Sequence, residues 1–364
     1  GLATLSRRSH ILTLTALKLD VPMKKPFGIA GGAQVEAEVV LVELVVDGGL
    51  RGWGEGAPFP AFNGETQEQV LAACALAAPR LEGIDLDDDD AIREHVRATC
   101  SVSPSAACAI ETAVFDARAR RAGRPLHALL GGAERELVTD ITITTGSVDD
   151  AEREARAFAA FCTLKMKVGG GDVDRDVARV LAVRAARPDA RILVDANGGF
   201  TVDEAVRFAA EAARARIALF EQPVAPGDWD ALAEVRSRTG LLVAIDESVT
   251  SADDVGEAKR RRAADAVNVK IMKSGIFEAL AIVRRTKAEG LVRMIGGMVE
   301  TRLAMGTSAS IAAGIGGFDF IDLDTPLFLA SDPFEGGYAQ DGERIDLRPI
   351  DAGHGARPLA APRG

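Results

Sequence analysis

The sequence predicts an α/β protein: a closed β/α barrel carrying a smaller α+β unit assembled from both ends of the chain. Three observations predict it. From about residue 136, eight short β-branched runs alternate with Ala/Arg/Glu-rich helical stretches, the pattern of a parallel sheet with crossover helices. Polar groups close successive runs at a nearly constant step, as one per strand-helix unit would give. The residues before about 130 and after about 330 have a different texture, β-rich and Ala-rich at the start, Gly/Pro-rich at the end. The expected division is 1–130 for the α+β cap, 131–328 for the barrel and 329–364 for a tail that returns to the cap.

Taken in order, residues 1 to about 60 read as β-rich. The alternation ILTLTALKL is strand-like and lacks the continuous apolar core of a signal peptide. VVLVELVVDGGLRGWGEG holds two β-type stretches joined at Asp47-Gly48-Gly49, a hairpin turn. The stretch from Gly52 to Gly64 reads as a loop. Residues 65–130 have helical periodicity, broken by Pro79, by the acidic run Asp87 to Asp90 and by Pro104. That run lacks the glycine and distal Glu of an EF-hand loop and reads as solvated. The barrel strands are TDITITT, CTLKMKV, RILVDAN, IALFEQP, LVAIDES, AVNVKIM, VRMIGGM and FIDLDTP. No GxGxxG follows the first, which argues against a dinucleotide fold. The tail contributes one strand-like run, ERIDLRP.

Composition narrows the function classes. A net charge of -11 argues against nucleic acid and anionic membrane as partners. The four cysteines, Cys74, Cys100, Cys108 and Cys162, form no CxxC pair, so free thiols in a reducing compartment are expected. With no apolar run long enough to span a bilayer, the expected location is cytoplasmic, as a homo-oligomer.

The chemistry is carried by Lys167, Asp195, Glu221, Asp246, Lys270 and Asp322, at the C-terminal ends of strand candidates. The first five follow one another at steps of 24 to 28 residues. In a barrel such positions converge on the mouth, where active sites form. Singly, a strand-end Asp is as often a cap and a strand-end Lys is usually solvated. The register of all six is what argues for a site. Asp195, Glu221 and Asp246 come from neighbouring strands, and gathered carboxylates repel unless a cation neutralises them. A compact set of hard oxygen ligands suits Mg²⁺. Period-2 geometry turns Lys165 and Lys167 the same way, and likewise Asn268 and Lys270. The two strand-end lysines would then flank the metal. The charge of Lys165 and of the metal would lower the pKa of Lys167 toward a useful base. A substrate carboxylate on Mg²⁺ has an acidified neighbouring C–H, because the metal stabilises the enediolate. One lysine removes the proton from one face and the other returns one to the opposite face. The expected outcome is racemisation or epimerisation by two-base 1,1-proton transfer.

These residues resemble the enolase superfamily, in its muconate-lactonising subgroup. The motifs are KMK at Lys165–Lys167, VDAN ending at Asn197, EQP at Glu221–Pro223, DES at Asp246–Ser248 and VNVKIMKSG with Lys270, with AACAIETAVFDARARRAGRPLHALLGG like the family's domain junction. The resemblance covers nearly the whole chain. It implies a modified TIM barrel, (β/α)7β, under an α+β capping domain. It implies one Mg²⁺ per subunit on Asp195, Glu221 and Asp246, Lys167 and Lys270 as acid/base pair, and Lys165 as auxiliary lysine. Asn197 and Asn268 would support this set from behind.

Within the subgroup, GGMVET and DLDTP discriminate. A DxD after the eighth strand looks like that of the dipeptide epimerases, including L-Ala-D/L-Glu epimerases. Asp322 and Asp324 share a face and suit a dipeptide's free ammonium. Met298 and Glu300 match positions near the mouth of strand seven. The loop from Pro26 to Gln34 would close over the substrate. Where Ala-Glu epimerases place a basic residue, this chain has Gly32, with Lys24 and Lys25 nearby as substitutes, so a small or apolar second residue is expected. Trp53 would cover the site or belong to the core. The alternatives on the same barrel are an N-acylamino acid racemase, an o-succinylbenzoate synthase and a muconate-type cycloisomerase, whose substrates have no ammonium for the acidic pair. A non-catalytic barrel is disfavoured, since every acid, base and ligand position is filled.

Overall fold

The computed structural model describes residues 8–359, so the first seven and last five residues of the expected units lie outside it. The N-terminal unit begins with three antiparallel strands in the order β1-β2-β3: β1 Ile11–Ile29, β2 Gly32–Val46 and β3 Arg51–Gly56. The turn at Asp47–Gly49 joins β2 to β3 as its glycines dictate, with Gly48 and Gly49 both at positive φ. Two expectations change. The loop expected from Pro26 to Gln34 is extended strand on either side of a turn at Ala30-Gly31. Between Pro22 and Phe27 the β1–β2 register shifts, Pro22 facing Glu36 and Phe27 facing Gln34. Five residues therefore advance on β1 against two on β2, where Pro22 and Pro26 offer no N–H to the ladder.

The second change is at Gly52 to Gly64, where the chain stays extended to Gly56. A short helix α1 (Pro60–Asn63) follows, then α2 Gln67–Leu81, α3 Asp89–Thr99, α4 Pro104–Arg121 and α5 Leu126–Leu129. Gly52, Gly54 and Gly56 project to one face of β3, and a Cβ there would stand 2.1, 1.8 and 2.8 Å from the carbonyl oxygens of Ala113, Ala109 and Ser105. The glycines mark a strand pressed against the backbone of α4. Pro79 lies inside α2, two residues before its end, and Pro104 is the first residue of α4. The acidic run starts α3: Asp88 caps it, and Asp87 and Asp89 pair with Arg121 and Arg118. Cys74, Cys100 and Cys108 are buried, Cys162 is exposed and all are free thiols.

After β4 (Glu136–Val138) come eight parallel strands in sequential order: β5 Ile141–Ile143, β6 Thr163–Lys167, β7 Arg191–Asp195, β8 Ile217–Glu221, β9 Val243–Ile245, β10 Ala266–Val269, β11 Val292–Ile295 and β12 Phe318–Ile321. Seven helices alternate with them: α6 Val148–Ala157, α7 Val173–Ala186, α8 Val202–Glu211, α9 Trp229–Thr239, α10 Ala252–Arg260, α11 Ile276–Ala288 and α12 Arg302–Ile315. This is the (β/α)7β order. The first and last strands meet through Asp140 N–H to Ile321 O at 2.9 Å and Leu323 N–H to Thr139 Oγ1 at 2.9 Å. Leu193, Leu219, Ala244, Ala266, Met294 and Phe320 form one apolar cluster. Each of Leu193, Leu219, Ala244 and Phe320 stands two residues before Asp195, Glu221, Asp246 or Asp322. The strand period thus builds an apolar floor directly beneath a polar mouth.

The tail forms β13 Phe334–Gly336, β14 Ala339–Asp341, β15 Arg344–Asp346 and β16 Ala356–Pro358; β13 pairs with β16, and β14-β15 pair with β4. Phe334 and Ala356 pack with Leu41, Trp53 and Leu303, and His354 Nε2 meets Trp53 O at 2.8 Å. Trp53 is therefore core. The cap docks on the barrel through Glu55, a buried carboxylate that accepts from Thr301 N–H at 2.9 Å, Ala304 N–H at 3.1 Å and the Thr301 hydroxyl at the start of α12.

Gly54→Ala should lower the unfolding free energy by about 1–3 kcal/mol through overpacking of β3 against α4. Gly170→Ala, where a Cβ meets nothing within 4 Å, should change it by less than about 0.5 kcal/mol. Urea unfolding followed by circular dichroism checks the pair, and equal midpoints would contradict the close approach.

Candidate active site at the barrel mouth

Parallel register brings the strand ends into one ring. Lys167 is the Cα partner of Asp195, and Asp195 of Glu221. Asp246 follows β9, Lys270 follows β10 and Asp322 follows β12. Around eight strands in sequential order, β6 and β10 are four apart, so Lys167 and Lys270 stand on opposite sides of the mouth. The three acids lie between them on one arc, and β12 lies across from β8.

Oxygens of Asp195, Glu221 and Asp246 lie within 4.8 Å of one another, and all three residues are buried. Octahedral Mg²⁺ with oxygens at about 2.0–2.1 Å spans such a set. Among the described residues, Glu221 Oε2 and Asp246 Oδ1 receive no well-directed hydrogen bond, so lone pairs remain for a cation. The donor chemistry and spacing fit a hard divalent ion.

The lysines hold these acids in place. Lys165 Nζ sits 2.6 Å from Asp322 Oδ2, 2.8 Å from Glu221 Oε2 and 3.3 Å from Asp195 Oδ2. Burial pulls its pKa down, but the carboxylates of Asp322, Glu221 and Asp195 outweigh burial and hold it well above the ordinary lysine value. Lys165 is thus a fixed positive charge joining the acidic arc to β12. Lys167 Nζ donates to Asp195 Oδ2 at 2.7 Å and to Asn197 Oδ1 at 3.2 Å. Lys270 Nζ donates to Asp246 Oδ2 at 2.6 Å and lies 4.5 Å from the Phe62 ring centroid. Burial works against its charge, and Asp246 restores it and raises its pKa. Burial and neighbouring Asp195 push Glu221 up to about 7, the repulsion expected of gathered carboxylates.

Asn197 and Asn268 fill supporting places. Asn268 Nδ2 donates to Glu221 Oε1 at 2.5 Å, and Asn197 Nδ2 to Glu247 Oε2 at 3.1 Å. Asp322 and Asp324 both line the cavity, together with Lys165, Lys167, Lys270, Asn197 and Met298. Burial and Asp322 push Asp324 up to about 7, while Lys165 overcomes burial to hold Asp322 down at about 2. Glu300 does not line the cavity. It is buried behind it, accepting from Met298 N–H at 2.7 Å, and burial and Glu55 push it up to about 8. Gly32 is also not on the cavity wall. It lies at the exposed hairpin tip, on a separate crevice with Ala30, Thr145 and Arg175. The register shift instead sends Phe27 and Ile29 to the wall, and α1 with its preceding loop adds Phe59 and Phe62. Lys24 is bonded to Leu327 O and Lys25 paired with Glu154, so neither restores a cation there.

Sequence reasoning missed several participants. Lys273 donates at 2.8 Å to the carbonyls of Asp246 and Asn268 and pairs with Asp246 Oδ1 at 3.1 Å. Its signal was the second lysine of VNVKIMKSG. Gln222 in EQP, at φ 36°, accepts from Asp246 N–H at 3.0 Å and Ser248 N–H at 3.2 Å, tying EQP to DES. Asp140 also belongs to the cluster, because it lies with Asp322 and Asp324 in a second group of gathered acids.

Two family models match the chain: the mandelate racemase/muconate lactonizing enzyme N-terminal domain over residues 12–131, and the enolase C-terminal domain-like family over 148–360. An aromatic dipeptide epimerase of Herpetosiphon aurantiacus is 42% identical over 95% of this chain and 98% of its own length. A hydrophobic dipeptide epimerase of Citrifermentans bemidjiense is 38% identical over 96% and 98%. Among solved structures, the dipeptide epimerase of Enterococcus faecalis complexed with Mg and L-Leu-L-Tyr superposes with a TM-score of 0.92 at 32% identity, over 95% of this chain and 99% of that one.

Lys273→Met should weaken divalent-ion binding by about 10–100-fold, because Asp246 loses the partner that orients it. Titration calorimetry with Mg²⁺ or Mn²⁺ reads this directly, and an unchanged affinity would show that Asp246 needs no such support.

Proposed function

We propose, since the chain belongs to the mandelate racemase/muconate lactonizing enzyme family of the enolase superfamily, that it is a Mg²⁺-dependent dipeptide epimerase inverting the α-carbon of the C-terminal residue. One observation carries the reading. The mouth places two lysines on opposite sides, three acids on the arc between them, and two further acids on the strand across from that arc. A dipeptide matches this plan end to end. Its carboxylate faces Asp195, Glu221 and Asp246, its ammonium faces Asp322 and Asp324, and its α-carbon lies between Lys167 and Lys270. Mg²⁺ on the three acids would supply the charge that acidifies the α C–H.

The chain's own residues do the rest. One lysine, neutral at the moment of reaction, takes the α-proton from its face. The other, protonated, delivers one from the opposite face, and the roles exchange for the reverse direction. Lys165 contributes a standing positive charge beside Lys167. Phe59, Phe62, Phe27 and Ile29 exclude water above the reacting carbon, which strengthens every electrostatic contact below. An N-acyl substrate would bring no ammonium to the Asp322–Asp324 pair and leave Lys165 as its one cation, which favours the dipeptide over the alternatives on this barrel.

The apolar roof also supports a substrate class. Among the described residues, no basic side chain lines the cavity apart from the three lysines already engaged with carboxylates, so a C-terminal glutamate would find no partner there for its side chain. Apolar and aromatic side chains gain from Phe27, Ile29, Phe59, Phe62 and Met298.

In D₂O with Mg²⁺, apolar or aromatic dipeptides should show deuterium uptake at the C-terminal α-carbon with kcat/KM at least about tenfold above L-Ala-L-Glu. A preference for Ala-Glu would overturn the side-chain reading, and no exchange with any dipeptide would overturn the epimerase reading. Lys167→Ala and Lys270→Ala should each lower inversion by about 10²–10⁴-fold. Each should still exchange the α-proton of one stereoisomer, a different one for each variant. Full inversion by either variant would rule out the two-base mechanism.

A further inference from the structure

Asp140 immediately precedes β5, and its backbone N–H bonds to Ile321 O at the barrel seam. Its side chain lies 98% out of solvent's reach among Asp322 and Asp324, with oxygens of the three within 4.8 Å of one another. It does not line the cavity. The two other acids have donors: Lys165 Nζ meets Asp322 Oδ2 at 2.6 Å, and Thr142 N–H meets Asp324 Oδ2 at 2.6 Å. Neither oxygen of Asp140 meets an N–H or hydroxyl donor among the described residues.

A buried carboxylate without a donor, beside two other carboxylates, is costly. Charge counting gives the same answer. With the dipeptide in place, the ammonium and Lys165 bring two positive charges to this end of the site, which balance Asp322 and Asp324 and leave none for a third acid.

We infer that Asp140 is a positioning residue for dipeptide recognition: it stays a neutral acid behind the Asp322–Asp324 pair and donates a hydrogen bond to Asp322, fixing how that carboxylate is shared between Lys165 and the substrate's ammonium. This rests on the dipeptide reading above. Burial and the charges of Asp322 and Asp324 push the Asp140 carboxyl well above its ordinary range, in the direction this requires. The hydrogen bond so inferred runs from the Asp140 hydroxyl to the Asp322 carboxylate, which belongs to the same group of oxygens within 4.8 Å. Without it, Asp322 is free to turn wholly onto Lys165, and the ammonium loses half of its paired acceptor.

Kinetics with the best dipeptide test it. Asp140→Ala should raise KM about tenfold with a smaller effect on kcat, the cost of a lost buried hydrogen bond. Asp140→Asn keeps a neutral donor and should hold KM within about twofold of wild type. If Asp140 were instead a third anionic partner of the ammonium, Asp140→Asn would raise KM as much as Asp140→Ala, overturning the proposal. A KM unchanged in both variants would overturn it as well. Infrared difference spectra of the Mg²⁺ enzyme without substrate give a readout independent of the dipeptide reading. The spectrum of wild type minus that of Asp140→Asn should contain the carbonyl stretch of one protonated carboxyl, the bands of Glu300 and the other buried acids cancelling, and a difference spectrum without that band would sink the assignment.

Discussion

Everything at the mouth depends on like charges being forced together and then reconciled. Asp195 and Glu221 are Cα partners on adjacent parallel strands, and Asp246 ends the next one. Strand pairing leaves these acids no way to separate without breaking the sheet. The apolar floor of Leu193, Leu219, Ala244 and Phe320 keeps water from entering below to dilute the repulsion. The compensation comes from lysines that are themselves buried. Lys165 touches three acids, Lys273 and Lys270 share Asp246, and Lys167 takes Asp195. Such a set is expensive to build, and its remaining lone pairs make it a receptacle for one hard cation.

The cap answers a different need. A barrel mouth alone is open to water, and proton transfer at carbon gains from its exclusion. The β1–β2 hairpin and α1 cover the mouth with aromatic and aliphatic side chains. They are held there by the glycine face of β3 on α4 and by Glu55 at the start of α12. Among the described residues Glu55 pairs only with neutral N–H and hydroxyl donors, and burial pushes its pKa up. The anchor thus relies on a helix terminus rather than on a counter-charge, which leaves the lysines to the site.

Most of the polar ring at the mouth was legible because strands repeat with period two and barrel units with a nearly fixed length. Those two periods sufficed to align Lys165, Lys167, Asp195, Glu221, Asp246 and Lys270, and Asp322 with Asp324. What was not legible lies where contacts cross between distant segments. Asp140 reads as one polar residue of the strand-like run TDITITT, because its neighbours at Asp322 and Asp324 come from the far end of the sheet. Gly52 to Gly64 read as a loop because alternating glycines signal flexibility when the helix they receive is out of view. Gly32 matches the family's basic position along the chain, and such a match carries no strand register. The register shift at Pro22–Phe27 is invisible without the partner strand, and beyond it Phe27 and Ile29 line the cavity instead.

That register shift separates two kinds of inheritance. The hairpin that roofs the cavity is joined to the barrel by few polar contacts, Thr145 N–H to Gly28 O at 3.3 Å being one. The lysines and acids proposed to react and to hold the metal all belong to strand ends far from it in the chain. Drift in a handful of hairpin residues can therefore redirect which peptides are accepted while the proton-moving apparatus passes unaltered from ancestor to descendant.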